Sequence, residues 1–352
     1  MPERMPQTVK EVFAWLRTWD KALNANIQEV LAGKEYLNQK FAPFAIRSPV
    51  GWVGFGFDLD QDKRTRHANS PRNYRQFLHT AGGVQKIFRM SLIEVGSQYV
   101  HSRNLTFPDL RGRRIALVGC GAIGSFLALA LARLGAGTGA QGNLSLIDSD
   151  LLGAENLGRH VLGYPSLQKS KVYALKDEIT RQFPHHTVAA HFLDVQKHAS
   201  LFDADLVIDA TGEESVSEFL NYRRIQTAPR VPLLHTWIRG NGEAVQALWA
   251  DSNGGGCYRC LLVPDKTEHR KQRFRVLKTD PIRRTEGCRA YTPYAVSAPM
   301  HAAALATDIV CAWLQGDPTP RFRTRRLETA DVFITKNQNP SKMAGCPACA
   351  RP

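Results

Sequence analysis

A glycine-rich loop between an apolar run and an alanine- and leucine-rich segment constrains the fold of this chain more than any other feature. The run covers residues 115–118, the segment covers residues 125–134, and the loop is Gly119-Cys120-Gly121-Ala122-Ile123-Gly124. The run is typical of a short buried strand and the segment of a helix. Glycines let a backbone approach phosphate oxygens, and a helix N-terminus supplies N–H donors. The pattern therefore predicts a phosphate-binding loop between a strand and a helix.

Strand and helix patterns alternate through residues 106–352. A helix is predicted over residues 171–183, and further strands over residues 144–147, 188–193, 206–209 and 231–237. This alternation is typical of an α/β, Rossmann-like fold with a mostly parallel sheet and helices on both faces. Ligands bind such sheets beyond the carboxyl ends of the strands, where Gly119, Asp148 and Asp209 fall.

Residues 1–105 are predicted to form a separate accessory domain of α+β type, with a role in partner binding or dimerisation. Residues 7–32 have helical spacing and end at Gly33, and residues 41–59 are typical of a hairpin or of short strands. We expect a charged loop over residues 60–73 and a second helix over about residues 74–99.

Three polar residues after Asp148 favour a triphosphate over a dinucleotide. Asp148 itself can bind ribose hydroxyls, so that up to this point a nicotinamide dehydrogenase fits equally well. Asn156, Arg159 and Lys171 follow within a short stretch. An arginine and a lysine that converge on a triphosphate would stabilise the pyrophosphate that leaves during adenylation. The sequence therefore predicts ATP as the nucleotide.

Two Cys-x-x-Cys pairs predict a zinc ion, because four thiolates suit its tetrahedral coordination. The ligands are Cys257, Cys260, Cys346 and Cys349. Protein thiolates fill all four coordination positions of the zinc ion and leave none open for a substrate, so the predicted role is structural.

Cys288 lies outside those pairs and remains available as a nucleophile. Arg283, Arg284 and Arg289 are close in sequence and favour its thiolate form. The other two cysteines, Cys120 and Cys311, are predicted to pack in the protein interior. His235 and His301 can act as bases, but a structural role is favoured for both.

The net charge of +14 favours an acidic partner. Much of the excess lies in residues 266–289, and no nucleic-acid-binding motif accompanies it, so we do not expect nucleic acid as the partner. A solvated loop explains this stretch equally well.

No apolar run approaches the ~20 residues that a membrane span needs. Residues 1–6 lack a signal-peptide core, so we expect a cytoplasmic protein whose cysteines are not in disulfides.

The order of these motifs resembles that of the ThiF/MoeB/HesA family of ubiquitin-activating-type adenylyltransferases, and the resemblance covers residues 111–350. It implies that the protein adenylates the C-terminal glycine of a ubiquitin-like protein. It further implies that Asp148 binds ribose, that phosphates contact Asn156, Arg159 and Lys171, and that Asp150 lies near Mg²⁺.

The same resemblance implies a crossover segment, about residues 264–294, that passes over the active site. Cys288 in that segment would take the activated carboxyl group as a thioester and pass it to a conjugating enzyme. Family members pair their adenylation domains, which implies a homodimer in which Arg103 reaches the partner's nucleotide. The extra N-terminal domain and residues 156–160 resemble bacterial ubiquitin-like conjugation systems linked to antiviral defence.

One position departs from the family pattern. The family places a second acid after the fourth strand, where it helps to hold magnesium, but this chain has Gly212 there. Asp209 or Glu213 must then serve, or the ion is held differently.

Three other functions remain open from the sequence. A sulfur-carrier activator would form the same adenylate and then a thiocarboxylate for cofactor biosynthesis. A non-catalytic adaptor would keep the fold and bind a ubiquitin-like partner. A nicotinamide oxidoreductase would use the glycine loop and Asp148 for a dinucleotide.

Overall fold

The computed structural model divides the chain into two compact units, Met1–Val95 and Gly96–Pro352. The predicted boundary at residue 105 falls inside the second unit. No helix in the described part of the chain is both long and apolar enough to cross a membrane. The structure describes residues 5–33, 39–48, 51–67, 70–266, 269–287, 289–328 and 332–349.

The first unit combines helices with a small antiparallel sheet, as predicted. Its sheet has the strand order β1-β2-β3, and its core includes Val12, Phe13, Leu16 and Phe57. Its elements are α1 (Val9–Trp19), α2 (Lys21–Ala32), β1 (Phe41–Ser48), β2 (Gly51–Asp58), α3 (Gln61–His67), α4 (Pro71–His79) and β3 (Phe88–Met90).

Three local predictions for this unit were wrong. The single helix over residues 7–32 is two helices, because the Asp20 carboxylate accepts hydrogen bonds from the N–H groups of Ala22 and Leu23 and begins α2. Residues 60–73 contain α3 and the start of α4 rather than a loop. The predicted helix over residues 74–99 ends early, since α4 ends at His79 and a 3₁₀ turn with two glycines follows. The hairpin was predicted correctly.

The second unit contains the larger sheet. Its helices are α5 (Ser97–Ser102), α6 (Ala122–Arg133), α7 (Lys171–Gln182), α8 (Glu214–Thr227) and α9 (Ser297–Leu314). Its strands are β4 (Arg114–Val118), β5 (Asn143–Asp148), β6 (Val188–Phe192), β7 (Leu206–Asp209), β8 (Leu233–Arg239), β9 (Ala244–Ala250), β10 (Leu262–Asp265), β11 (His269–Gln272), β12 (Arg284–Glu286), β13 (Arg289–Tyr291) and β14 (Phe322–Arg326).

The strand order in the larger sheet is β14-β9-β8-β7-β4-β5-β6 among the described residues. The pairs from β8 to β6 are parallel, and β9 and β14 add antiparallel strands at the other edge. Alternate residues of β4 face opposite sides: Ile115 and Leu117 pack with α6, α7 and α9, whereas Ala116 and Val118 pack with α8. The predicted mostly parallel sheet with helices on both faces is confirmed.

The topology places a crevice at the carboxyl end of β4. The chain runs from β4 outward through β5 to β6 and then returns to β7 on the other side of β4. Such a reversal of strand order leaves room between the loops that follow the two central strands, and ligands of open α/β sheets bind there. The loops after β4 and β7 begin at Gly119 and Ala210.

Candidate functional site

A cavity of about 1410 Å³ opens at this crevice. Its walls include the glycine loop, the end of β5, the loop after β7, the 3₁₀ helix Ala154–Arg159 and the segment 281–294. Most of the predicted nucleotide residues line it: Gly119, Gly121, Ala122, Ile123, Asp148, Asp150, Asn156, Arg159 and Lys171. Gly124 and Asp209 lie outside the lining: Gly124 packs against Gly119, and Asp209 is buried.

The glycine loop needs its first and last glycines for its backbone path. Gly119 has a φ of +85°, which side chains other than glycine rarely adopt. A Cβ atom on Gly124 would lie 1.8 Å from the carbonyl oxygen of Gly119, so only glycine fits where α6 begins against the loop. Gly121 is different, because a Cβ atom there would meet nothing within 4 Å.

Asp148 ties the end of β5 to the glycine loop. Its carboxylate oxygens accept hydrogen bonds from the N–H groups of Cys120 at 2.7 Å and Asp150 at 2.8 Å. Burial raises the pKa of Asp148, and both hydrogen bonds and the charge of Lys171 oppose that rise. The carboxylate therefore has defined backbone partners on one side and the cavity on the other.

Lys171 and Asp150 form an ion pair in the cavity. The Lys171 Nζ atom lies 2.9 Å from the Asp150 Oδ2 atom. The lysine side chain is only 7% exposed, whereas that of Asp150 is 67% exposed. The structure therefore brings an ammonium group and an open carboxylate to one side of the cavity.

The 3₁₀ helix holds Asn156 and Arg159. The Asn156 Oδ1 atom accepts a hydrogen bond from the Gly153 N–H group at 3.0 Å, which fixes the first turn. The Arg159 guanidinium lies 4.9 Å from the centre of the Tyr294 ring, a cation–π contact. Because Tyr294 belongs to the segment 281–294, this contact joins two walls of the cavity.

His160 is a positioning residue that the sequence reasoning did not identify. Its Nδ1 atom accepts a hydrogen bond from the Leu162 N–H group, so its Nε2 atom carries the hydrogen and donates it to the carbonyl oxygen of Cys120 at 2.8 Å. Burial lowers the pKa of His160, although the bond to Cys120 opposes this. In the sequence, the one feature that could have pointed to His160 was its position directly after Arg159.

Asp209 is fully occupied by internal hydrogen bonds. Its oxygens accept from the N–H and hydroxyl groups of Thr211, from the Ser217 hydroxyl and from the Nδ1 atom of His235, which lies 2.8 Å away. Burial raises the pKa of Asp209. The hydrogen bonds from these donors lower it by more than burial raises it, so the net shift is downward. His235 is buried and has this structural partner, while His301 lies exposed on α9.

Glu213 is the carboxylate that the loop after β7 presents to the cavity. It is exposed and lines the cavity together with Thr211 and Gly212. Gly212 has no side chain to offer a ligand, and its φ of +69° suits glycine. Asp150 and Glu213 are thus two of the exposed carboxylates in the cavity lining, which also includes Glu155, Asp194 and Glu286.

The segment 281–294 closes one side of the cavity. Arg283, Glu286, Tyr291 and Tyr294 are among its lining residues, and β12 pairs with β13 in this stretch. Cys288 lies outside the described residues, but its sequence neighbours Glu286 and Ala290 line the cavity.

The remaining predicted residues lie away from this cavity. Arg103 is exposed just after α5, and its guanidinium lies 5.6 Å from the Tyr99 ring centre. Cys120 is fully buried, and Cys311 is half-buried on α9. Within the basic stretch 266–289, Arg270 lies 2.6 Å from Glu218 of α8.

The four predicted zinc ligands form one cluster. Cys257 Sγ lies 3.8 Å from the Sγ atoms of Cys260 and Cys346, and Cys260 Sγ lies 3.4 Å from that of Cys349. The hydrogen bond from Cys257 lowers the pKa of Cys260 to about 4 and raises the pKa of Cys257. The four sulfur atoms lie close enough together to hold a tetrahedral zinc ion.

This combination of sheet, glycine loop, acid and converging cations defines a nucleotide-binding α/β protein. Residues 101–348 match the model of the ThiF family. The chain therefore belongs to the ThiF family.

Its curated relatives include the ATP-dependent ubiquitin transferase-like protein Cap2 of Pseudomonas aeruginosa, 35% identical over 98% of this chain and 62% of the relative. The Cap2 protein of Vibrio cholerae is 28% identical over 98% of this chain and 61% of the relative. The chain thus spans about three fifths of the length of these relatives. An adenylyltransferase and sulfurtransferase uba4 of Emericella nidulans is 30% identical over 44% of this chain and 32% of the relative.

A solved structure confirms the fold. The structure of E. coli MccB with ATP matches with a TM-score of 0.54 and 16% identity, and covers 88% of this chain and 98% of the other. The structure of the same enzyme with MccA-N7isoASN has a TM-score of 0.55.

Proposed function

We propose that this protein uses ATP to adenylate the C-terminal glycine of a ubiquitin-like protein and then binds that carboxyl group as a thioester on Cys288. The observation that carries the proposal is the convergence of Asp148, Arg159 and Lys171 on one cavity beside a glycine loop. The Cap2 relatives support the partner class.

In the first step, an oxygen of the partner's carboxylate attacks the α-phosphorus of ATP. The bond from that phosphorus to the oxygen bridging to the β-phosphate breaks, and pyrophosphate leaves with the bonding electrons. Lys171 and Arg159, which both line the cavity, stabilise the charge on the leaving group. Asp148 binds the ribose hydroxyls, and the loop N–H groups bind phosphate oxygens.

Asp150 and Glu213 fit a magnesium ion. Mg²⁺ prefers oxygen ligands and binds through one or two carboxylates plus substrate phosphates. Asp209 does not fit, because two internal donors engage each of its oxygens and the residue is only 1% exposed. When bound, the ion neutralises phosphate charge.

In the second step, the Cys288 thiolate attacks the carbonyl carbon of the adenylate, and AMP leaves with the electrons of the acyl–phosphate bond. A conjugating enzyme would accept the carboxyl group next. The four-cysteine cluster holds a structural zinc ion, and the working enzyme is a homodimer.

A second candidate is activation for sulfur transfer, which the match to uba4 favours. It shares the adenylation step, but the product would be a thiocarboxylate rather than a conjugate.

Pyrophosphate exchange into ATP tests the proposal. The chain is mixed with ATP, Mg²⁺, labelled pyrophosphate and a ubiquitin-like protein that ends in glycine. Exchange is expected, and it should stop when the partner's C-terminal carboxylate is amidated. A non-catalytic adaptor or an oxidoreductase would give no exchange with either form. Mass spectrometry of the partner then separates a thioester from a thiocarboxylate.

A further inference from the structure

Three histidines form a second cluster, away from the nucleotide cavity and the cysteines. His101 is the buried residue of helix α5, and His185 and His186 lie in the turn between α7 and β6. The Nε2 atom of His101 lies 3.0 Å from the Nε2 atom of His185 and 3.2 Å from that of His186. The Nε2 atom of His101 therefore faces both of the others, and the three ligand atoms lie within 4.8 Å of one another.

The hydrogen-bond partner of His101 fixes which of its ring nitrogens is free. Its Nδ1 atom lies 2.9 Å from the carbonyl oxygen of Arg133, and a carbonyl oxygen can only accept. The Nδ1 atom therefore carries the hydrogen, and the Nε2 atom of the neutral ring presents a lone pair. Metal-binding histidines are usually oriented in this way, by a carbonyl or carboxylate that binds the other ring nitrogen.

Two rings compete for the single lone pair of His101. If only hydrogen bonds held the cluster, one lone pair would have to accept from both His185 and His186. A metal ion removes this conflict, because it accepts one lone pair from each ring. A tetrahedral zinc ion with Zn–N distances of about 2.0–2.1 Å places its ligand nitrogens about 3.3 Å apart, close to the two observed distances.

We propose that His101, His185 and His186 bind a second zinc ion through their Nε2 atoms. Imidazole ligands without a carboxylate favour zinc over magnesium or calcium. His101 is 4% exposed and His186 is 6% exposed, whereas His185 is exposed and leaves an open path for the ion and for a fourth ligand from water. The ion would join α5, the first helix of the second unit, to the turn that precedes β6.

Counting bound zinc in the full chain tests this site. With zinc buffered in excess, the wild-type protein is expected to hold two equivalents, and H185Q and Cys349→Ser one each. His185 is suited to the test because its exposed side chain can be replaced without opening the core. The control is H198Q: His198 and His191 have ring centres 4.7 Å apart, as close as those of His185 and His186, but no third ring completes a site in the described residues.

Cobalt distinguishes the two sites. In the Cys349→Ser protein, Co²⁺ bound at the histidine site should lack the intense thiolate-to-metal charge-transfer absorption band of the cysteine cluster. Adding H185Q to that protein should weaken Co²⁺ binding at least tenfold. None of the three histidines lines the nucleotide cavity, so H185Q should keep wild-type pyrophosphate exchange. One zinc equivalent in the wild-type protein, or two in H185Q, would overturn the proposal.

Discussion

The Lys171 Nζ atom lies 2.9 Å from the Asp150 Oδ2 atom, at the side of the cavity where the phosphates of ATP are proposed to bind. The carboxylate of Asp150 is open to solvent, and the ammonium group is almost buried. A nearly buried charge needs a partner. Asp150 provides one before the nucleotide binds, and the phosphates can then share or replace it.

Lys171→Ala should therefore reduce pyrophosphate exchange about a hundredfold, because losing a transition-state charge contact costs about 3 kcal/mol. The matched control is Lys169→Ala: Lys169 is exposed, lies two positions earlier and does not line the cavity. Arg159→Ala should have an effect similar to that of Lys171→Ala. Wild-type exchange in both cavity variants would exclude these side chains from the reaction.

His160 should make stability depend on pH. Its folded-state pKa is lowered mainly by burial, whereas the unfolded chain takes up the proton near the ordinary value of about 6.5. The stabilisation from this neutral histidine is therefore present above about pH 6.5 and is lost as the pH falls. H160Q should destabilise the protein by about 1–2 kcal/mol at pH 7.5, and this difference should shrink towards pH 5.

Urea unfolding across this pH range measures the effect. His186, whose pKa burial lowers to about 4, destabilises both proteins on acidification, so only their difference reports on His160. The control is H301Q, because His301 is exposed on α9. A difference between wild type and H160Q that stays constant with pH would contradict the prediction.

The sequence predicted the central strands because they are short runs of apolar residues, and it predicted the phosphate loop because its glycines have a fixed spacing. It missed β14, an edge strand whose arginines resemble a loop. It also missed the role of His160, whose two partners, Cys120 and Leu162, depend on how the chain folds.

Asp209 shows the same limit. In sequence it follows an apolar strand as Asp148 does, so both were predicted to bind the nucleotide. Only the folded chain brings Ser217 and His235 to Asp209 and separates it from the cavity. A pattern along the chain gives the position of a carboxylate on a strand, but not the donors that reach it from other elements.

Cys288→Ala should separate the two proposed chemical steps. The variant should keep pyrophosphate exchange, because the thiolate acts only after the adenylate has formed. It should lose the covalent adduct with the partner that a reducing agent cleaves, as seen by gel electrophoresis with and without thiol. Cys311→Ala is the control, since Cys311 is half-buried on α9 and should not affect the adduct. An adduct in the Cys288 variant would identify another acceptor.

Cys257→Ser should lower the zinc content by one equivalent and lower the melting temperature, because a four-thiolate zinc site contributes directly to folding. Cys257 is buried between Cys260 and Cys346. Cys311→Ser again serves as the control and should keep the wild-type zinc content. A wild-type protein without zinc would contradict the assignment of this cluster.

Arg103 is the residue proposed to act across a dimer. It lies exposed after α5, and it does not line the cavity of its own chain. Its guanidinium lies 5.6 Å from the Tyr99 ring centre and donates to the Asn104 Oδ1 atom at 3.4 Å, and we propose that a phosphate bound to a second copy is its partner in the dimer. Arg103→Ala and Asp148→Ala should each be inactive alone.

Mixing these two inactive proteins under conditions of subunit exchange should restore activity. In a mixed dimer, the chain with an intact Asp148 pocket receives Arg103 from the other chain, which gives one working site out of two. Because random exchange makes about half of the dimers mixed, about a quarter of the wild-type activity per chain is expected. Light scattering measures the dimer, and differently tagged chains confirm the exchange. No recovery despite confirmed exchange would mean that Arg103 acts in its own chain or takes no part, because only a contact between chains lets one mutant complement the other.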